Sequence, residues 1–160
     1  MSIEINILWS TLIIGISLFF YSLRKPPIKD FIIIFLLTSY FSIFLGVIVV
    51  EEKMIEYPIS FLSNYFSSSL FYEYLLLPVV CIYFYRATYD SRYPSIILKC
   101  ALYTSVLTII EVFLERYTDL IEYHTWTWLH TFISIFFLML FIRILMKFIN
   151  KYDRSTFKKT

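Results

Sequence analysis

The chain has 160 residues, 59% of them hydrophobic, 21% aromatic and 16% charged, with a net charge of +2 at pH 7. Soluble domains run at about 45–50% apolar and about 25% charged, so this composition excludes an ordinary water-soluble domain. The length leaves room for one domain, 1–160, and for no separate catalytic module.

A helix needs roughly 20 apolar residues to cross a bilayer core. The first apolar stretch, Ile5–Leu23, ends at Arg24-Lys25-Pro26-Pro27, where two prolines force a turn. It has no basic leader, carries Glu4 ahead of the apolar run and lacks a small-residue cleavage site, so it reads as a retained helix and not as a secretory signal. The second, Phe31–Val50, closes at Glu51-Glu52-Lys53. Between it and the third, Phe61, Leu62, Tyr65 and Phe66 form an apolar stripe opposite Ser60, Ser63, Asn64 and Ser67, which predicts an interfacial amphipathic helix over 58–69. The third span covers Leu70–Tyr85, the fourth Ile96–Phe113 and the fifth Trp126–Ile149, followed by a basic tail. Cys81 and Cys100 flank the third connection and read as small packing residues.

The connections set an orientation. Every Lys and Arg except Lys53 and Arg116 falls on one side of the five spans. Basic residues stay in the cytoplasm, so the expected fold is an all-α bundle of five transmembrane helices with the N-terminus outside and the C-terminus cytoplasmic. Glu4, Glu51, Glu52, Glu56, Glu115, Asp119 and Glu122 then collect on the outer side. The tail from Lys147 to Lys159 would lie along the inner leaflet, whose anionic headgroups attract such clusters.

The fourth span carries the most information. At 100° per residue, Cys100, Thr104, Thr108, Glu111 and Glu115 share an arc of about 80°. Leu102, Val106, Ile109 and Leu114 occupy the opposite side. Such a stripe must face protein or water. A charged carboxylate deep in a bilayer costs on the order of 2.5–3.5 kcal/mol, so Glu111 needs a partner, a wet vestibule or a proton. Glu73, one turn into the third span from the same side, is one expected partner. His130, one turn into the fifth, is another, on an arc shared with Thr127, Thr131 and Ser134.

These residues predict an outer vestibule containing Glu73, Glu111, Glu115, His124 and His130, rimmed by Tyr72, Tyr74, Tyr123, Trp126 and Trp128. The cluster admits four readings: a structural hydrogen-bonded knot, a pocket for a small ligand or headgroup, a proton or cation relay, and a metal site. No dense ligand motif such as HExxH is present. No G-x-S-x-G elbow or phosphate-cradling glycine loop occurs, and Gly15 and Gly46 are the only glycines.

With Glu111 and the stretch His124-Thr125-Trp126-Thr127-Trp128-Leu129-His130 in view, the chain resembles the small multi-pass membrane proteins of endospore-forming Firmicutes. The likeness rests on size, five spans, the intramembrane Glu and the aromatic opening of the last helix. It implies a bacterial plasma membrane and supplies no activity or binding residues to carry over. The expected function is a non-enzymatic accessory or sensing subunit. Its expected ligand-binding residues are Glu73, Glu111, Glu115, His124, Trp126, Trp128 and His130. Its expected partners are the lipid bilayer and a membrane-protein partner or second copy. No cofactor, metal or nucleic acid is expected. The alternatives are a small proton-linked transporter, and a membrane-embedded hydrolase or transferase using Glu111 and His130.

Overall fold

The computed structural model describes residues 3–58 and 72–157. The expected interfacial helix over 58–69 lies, apart from Pro58, outside the described residues. So do the side chains of Tyr72 and Glu73.

The described chain forms helix α1 (Ile3–Ser22), helix α2 (Ile28–Glu51), strand β1 (Ile55–Glu56), a π-helical turn (Tyr72–Leu76), helix α3 (Leu77–Thr88), helix α4 (Tyr93–Tyr117), strand β2 (Glu122–Tyr123) and helix α5 (Trp128–Phe157). Helices α1, α2, α4 and α5 are each long and apolar enough to cross a membrane. The third predicted span is the exception. Its apolar helix, Tyr74–Thr88, is shorter, and it opens as a π turn. The cause is local. Pro78 has no N–H to return to the carbonyl of Tyr74 four residues earlier. The Ser39 hydroxyl of α2 donates to that carbonyl instead, at 3.3 Å.

α2 packs against α3, α4 against α5, and α2 and α3 each also touch α5. Phe31, Ile34, Ile82, Phe84, Cys100, Met139 and Met146 fill the centre and are almost fully buried. Cys81 and Cys100 are both buried and free. The outward faces are apolar as well: Leu36, Leu98, Leu102, Ile109, Phe113, Phe137 and Phe148 are all exposed. An apolar surface this extensive is the mark of a membrane or protein contact. The polar arc of α4 turns inward, with Cys100, Thr104, Thr108 and Glu111 buried while Leu102, Val106 and Ile109 face out.

α2 ends in a Schellman arrangement. Lys53 N donates to Val50 O at 2.9 Å, and Met54 N to Val49 O at 3.0 Å, with Lys53 at φ 53°. This turn delivers β1 to β2, pairing Ile55 with Tyr123 and Glu56 with Glu122 in antiparallel register. The loops after α2 and α4 are thereby stitched into a cap, under which Ile55, Leu120 and Ile121 are buried.

α1 meets the π turn at Gly15. A Cβ there would lie 2.7 Å from Leu75 Cδ2 and 2.8 Å from Leu75 Cγ, so a side chain at this point displaces Leu75. Gly15→Ala is expected to cost about 1–3 kcal/mol, read as a lower melting temperature in detergent. The double variant with Leu75→Ala should lose less than the sum of the two single losses.

Candidate functional site

The site is assembled from the end of α4, the cap and the start of α5. α4 stops at Tyr117, where the Thr118 hydroxyl donates to Leu114 O at 2.6 Å and its N–H to the same carbonyl at 3.0 Å. The chain then folds back through buried Leu120 and Ile121 into β2, which carries Tyr123 over the last turns of α4. α5 begins after Thr127, whose carbonyl accepts from His130 N at 2.9 Å and from Thr131 N at 3.3 Å. That start sets the rotation of α5, and it presents Thr131 to the interior.

Glu111, 7% exposed, is the centre of the resulting network. Its Oε1 accepts from the Tyr123 hydroxyl at 2.6 Å and from the Thr131 hydroxyl at 2.8 Å. The Trp126 indole N–H, which can only donate, gives its proton to Thr131 Oγ1 at 2.7 Å. The Thr131 hydroxyl proton is therefore directed at Glu111, and the chain of donors runs Trp126 to Thr131 to Glu111. Tyr123 O and Thr131 Oγ1 stand 3.3 Å apart. Burial, and then the neighbouring Glu111 carboxylate, push the Tyr123 phenol above the usual tyrosine range. It therefore remains a donor at neutral pH.

Beside this network lies a cavity of about 120 Å³. Its walls are mostly aliphatic, with Leu45, Val49, Leu77, Ile135 and Leu138 among them, and Glu111, Thr131, Ser134 and Ser42 supply its polar edge. α2, α4 and α5 frame it together with Ile55 and Tyr57 of the cap, and Leu77 is what α3 contributes.

The structure thus gathers Glu111 and Trp126, and seats Thr131, not His130, on the carboxylate. His130 is exposed; its Nδ1 lies 2.8 Å from Thr127 Oγ1, and its ring lies 5.1 Å from that of Trp126. One residue along a helix is a rotation of about 100°, which separates the two neighbours. His124 sits on the cap, with Nε2 3.4 Å from Glu56 Oε2, and both side chains are largely exposed. Trp128 is 58% exposed at the start of α5. Glu115 is half-buried, one turn beyond Glu111. The backbone of Glu73 lies in the π turn. Among the described residues no group of three His, Cys, Asp or Glu gathers to hold a metal ion.

The sequence reading did not anticipate the α2 wall. Its signal was available: Thr38, Ser42 and Gly46 recur every four residues on one face. It also missed a second buried polar cluster at the opposite end of the bundle. There Asp30, 5% exposed, accepts at Oδ2 from the Tyr85 hydroxyl at 2.7 Å and from Asn150 Nδ2 at 2.8 Å. Arg143 lies over the Tyr85 ring, 5.0 Å from its centroid. It donates to Thr88 Oγ1 at 3.2 Å and to the carbonyls of Thr88 and Tyr89, both at 3.0 Å. These are the closing carbonyls of α3, where a cation is favoured.

Comparison with protein-family models, with curated proteins and with solved structures finds no match for this chain.

Proposed function

We propose that the chain is a multi-pass protein of a bacterial plasma membrane, N-terminus outside, acting as a non-enzymatic accessory or sensing subunit. In this reading the cavity beside Glu111 receives a small group, either the tip of a ligand or a side chain of a membrane partner. The observation that carries the reading is the cavity's make-up: an aliphatic chamber with one carboxylate at its edge, pre-set by hydrogen bonds from Tyr123 and Thr131.

Size supports recognition over catalysis. Pockets that enclose whole drug-sized molecules run from about 300 to 1,000 Å³. An apolar cavity of about 150 Å³ holds a single benzene ring. At about 120 Å³ this cavity takes one ring or a short alkyl group. A transport route would need polar continuity to the opposite end. Below Thr104 the interior is instead packed with Phe84, Met139, Ile142 and Met146, which favours the accessory reading.

The test fills the chamber. The tagged wild type, extracted in mild detergent, should copurify with one partner in stoichiometric amount. Gly46→Leu, which grows a side chain from the cavity wall, should lose that partner while keeping its melting temperature within a few degrees. A wild type that purifies with neither a partner nor a bound small molecule, or a Gly46→Leu variant that retains the partner in full, sinks the reading. Proton flux in proteoliposomes that vanishes in Glu111→Gln would transfer the site to transport.

A further inference from the structure

A second crevice opens at the opposite end of the bundle, about 350 Å³ in volume and lined by Pro26, Pro27, Phe31, Tyr85, Arg86 and Tyr89. We propose that it binds the phosphate of an anionic amphiphile, with the Arg86 guanidinium as the counter-charge.

The lining defines the ligand. Arg86 is half-buried; its carbonyl accepts from Tyr89 N at 3.5 Å and its charge acts on Tyr83, but its guanidinium makes no hydrogen bond or ion pair among the described residues. A guanidinium at the edge of apolar walls is a natural counter-charge for an anion. Its planar fork fits a phosphate or carboxylate through two parallel hydrogen bonds. The remaining walls are two proline rings and three aromatic rings, which suit the carbon skeleton next to a charged head and not a bare hydrated ion. Tyr85 is fixed as a wall, because its hydroxyl is committed to Asp30 and Asn150. Asp30 does not line the crevice, so its carboxylate is not presented to the ligand.

Position narrows the class. Exposed Arg24 and Lys25 immediately precede Pro26 in the chain. Arg143 and Arg92 stand at the same end, on α5 and at the head of α4. A positive field here draws a headgroup of net negative charge, a phosphodiester whose charge no choline or other cation cancels. If the long helices cross a bilayer, the crevice sits at headgroup depth, and a phospholipid is the amphiphile that supplies this chemistry. A soluble phosphate ester shares the same group and is separated by experiment.

The experiment uses the purified full chain in mild detergent, offered equal amounts of phosphatidylglycerol and phosphatidylcholine and read by native mass spectrometry. The wild type should retain one phosphatidylglycerol in preference. Arg86→Gln should lose that preference by about tenfold or more, the scale of one charged hydrogen-bonding contact. Arg116→Gln, at the far end of α4, should leave it unchanged, and Arg86→Lys should fall between. Equal retention of the two lipids by the wild type overturns the proposal without recourse to any variant. Undiminished preference in Arg86→Gln overturns it too. Displacement of the lipid by millimolar glycerol phosphate would assign the crevice to a soluble ester.

The proposal shares with the preceding reading only the premise of a bilayer. Gly46→Leu should leave lipid selectivity intact, so failure of the cavity and failure of the crevice are read separately.

Discussion

Glu111→Leu is expected to destabilise the protein by about 1–3 kcal/mol in detergent, the cost of leaving buried donors unpaired, and Glu111→Gln by less than half as much. Two donors converge on one oxygen of Glu111. Leucine removes the acceptor for both the Tyr123 and Thr131 hydroxyls, which reach Oε1 at 2.6 and 2.8 Å. Those hydroxyls can turn to each other across 3.3 Å, which recovers part of the loss and holds the cost below that of two independent orphans. Glutamine keeps a carbonyl oxygen in place, so the Trp126 to Thr131 chain survives.

An opposing term acts as well, because the carboxylate is itself expensive to bury, and replacing a buried charge by a hydrophobic residue is often neutral or stabilising. The hydrogen-bond term is expected to win here. Each donor comes from a different element, β2 and α5, so losing the acceptor also loosens the cap from the bundle. Equilibrium unfolding in mixed micelles gives the stability. Trp126 fluorescence reports the cap, since its indole N–H is tied to Thr131. A Glu111→Leu variant more stable than the wild type would mean that the carboxylate is retained for binding, at a cost in stability.

Much of this arrangement was legible beforehand because it obeys helix periodicity. The α4 arc from Cys100 to Glu111 could be placed indoors from spacing alone, since four polar groups on one side of an apolar helix have no stable position against hydrocarbon. The four long helices follow from apolar length. What escaped depends on phase and on contacts distant in sequence. Thr131 and His130 are adjacent, and only the start of α5 at Thr127 decides which faces Glu111. The π turn before α3 depends on Pro78 and on a hydroxyl lent by Ser39, from an element 35 residues earlier. The pairing of Ile55 with Tyr123 joins two loops that carry no strand pattern of their own.

The Asp30 cluster is the clearest case of a contact without local signal, since Asn150 lies 120 residues along the chain from its acceptor. Asp30 stands in the first turn of α2 and is a buried junction of α2, α3 and α5. Asp30→Leu is accordingly expected to cost about 2–3 kcal/mol, the upper part of the range for orphaned buried donors, and more than Glu111→Leu. The Tyr85 hydroxyl and the Asn150 amide both lose their acceptor, and their mutual contact at 3.0 Å cannot replace it for both. Arg143, stacked on Tyr85, keeps its bonds to the end of α3. Asp30→Asn keeps one acceptor and should cost about 1 kcal/mol, the net worth of a typical hydrogen bond. Removing Asn150 in the same background separates the terms. The double variant Asp30→Leu with Asn150→Leu should recover about 1 kcal/mol or more of the single loss, because groups in one network couple by about 0.5–3 kcal/mol. Strict additivity of the two losses would show that the bond at 2.8 Å contributes nothing to holding α5 against α2, and the junction would then rest on apolar packing alone.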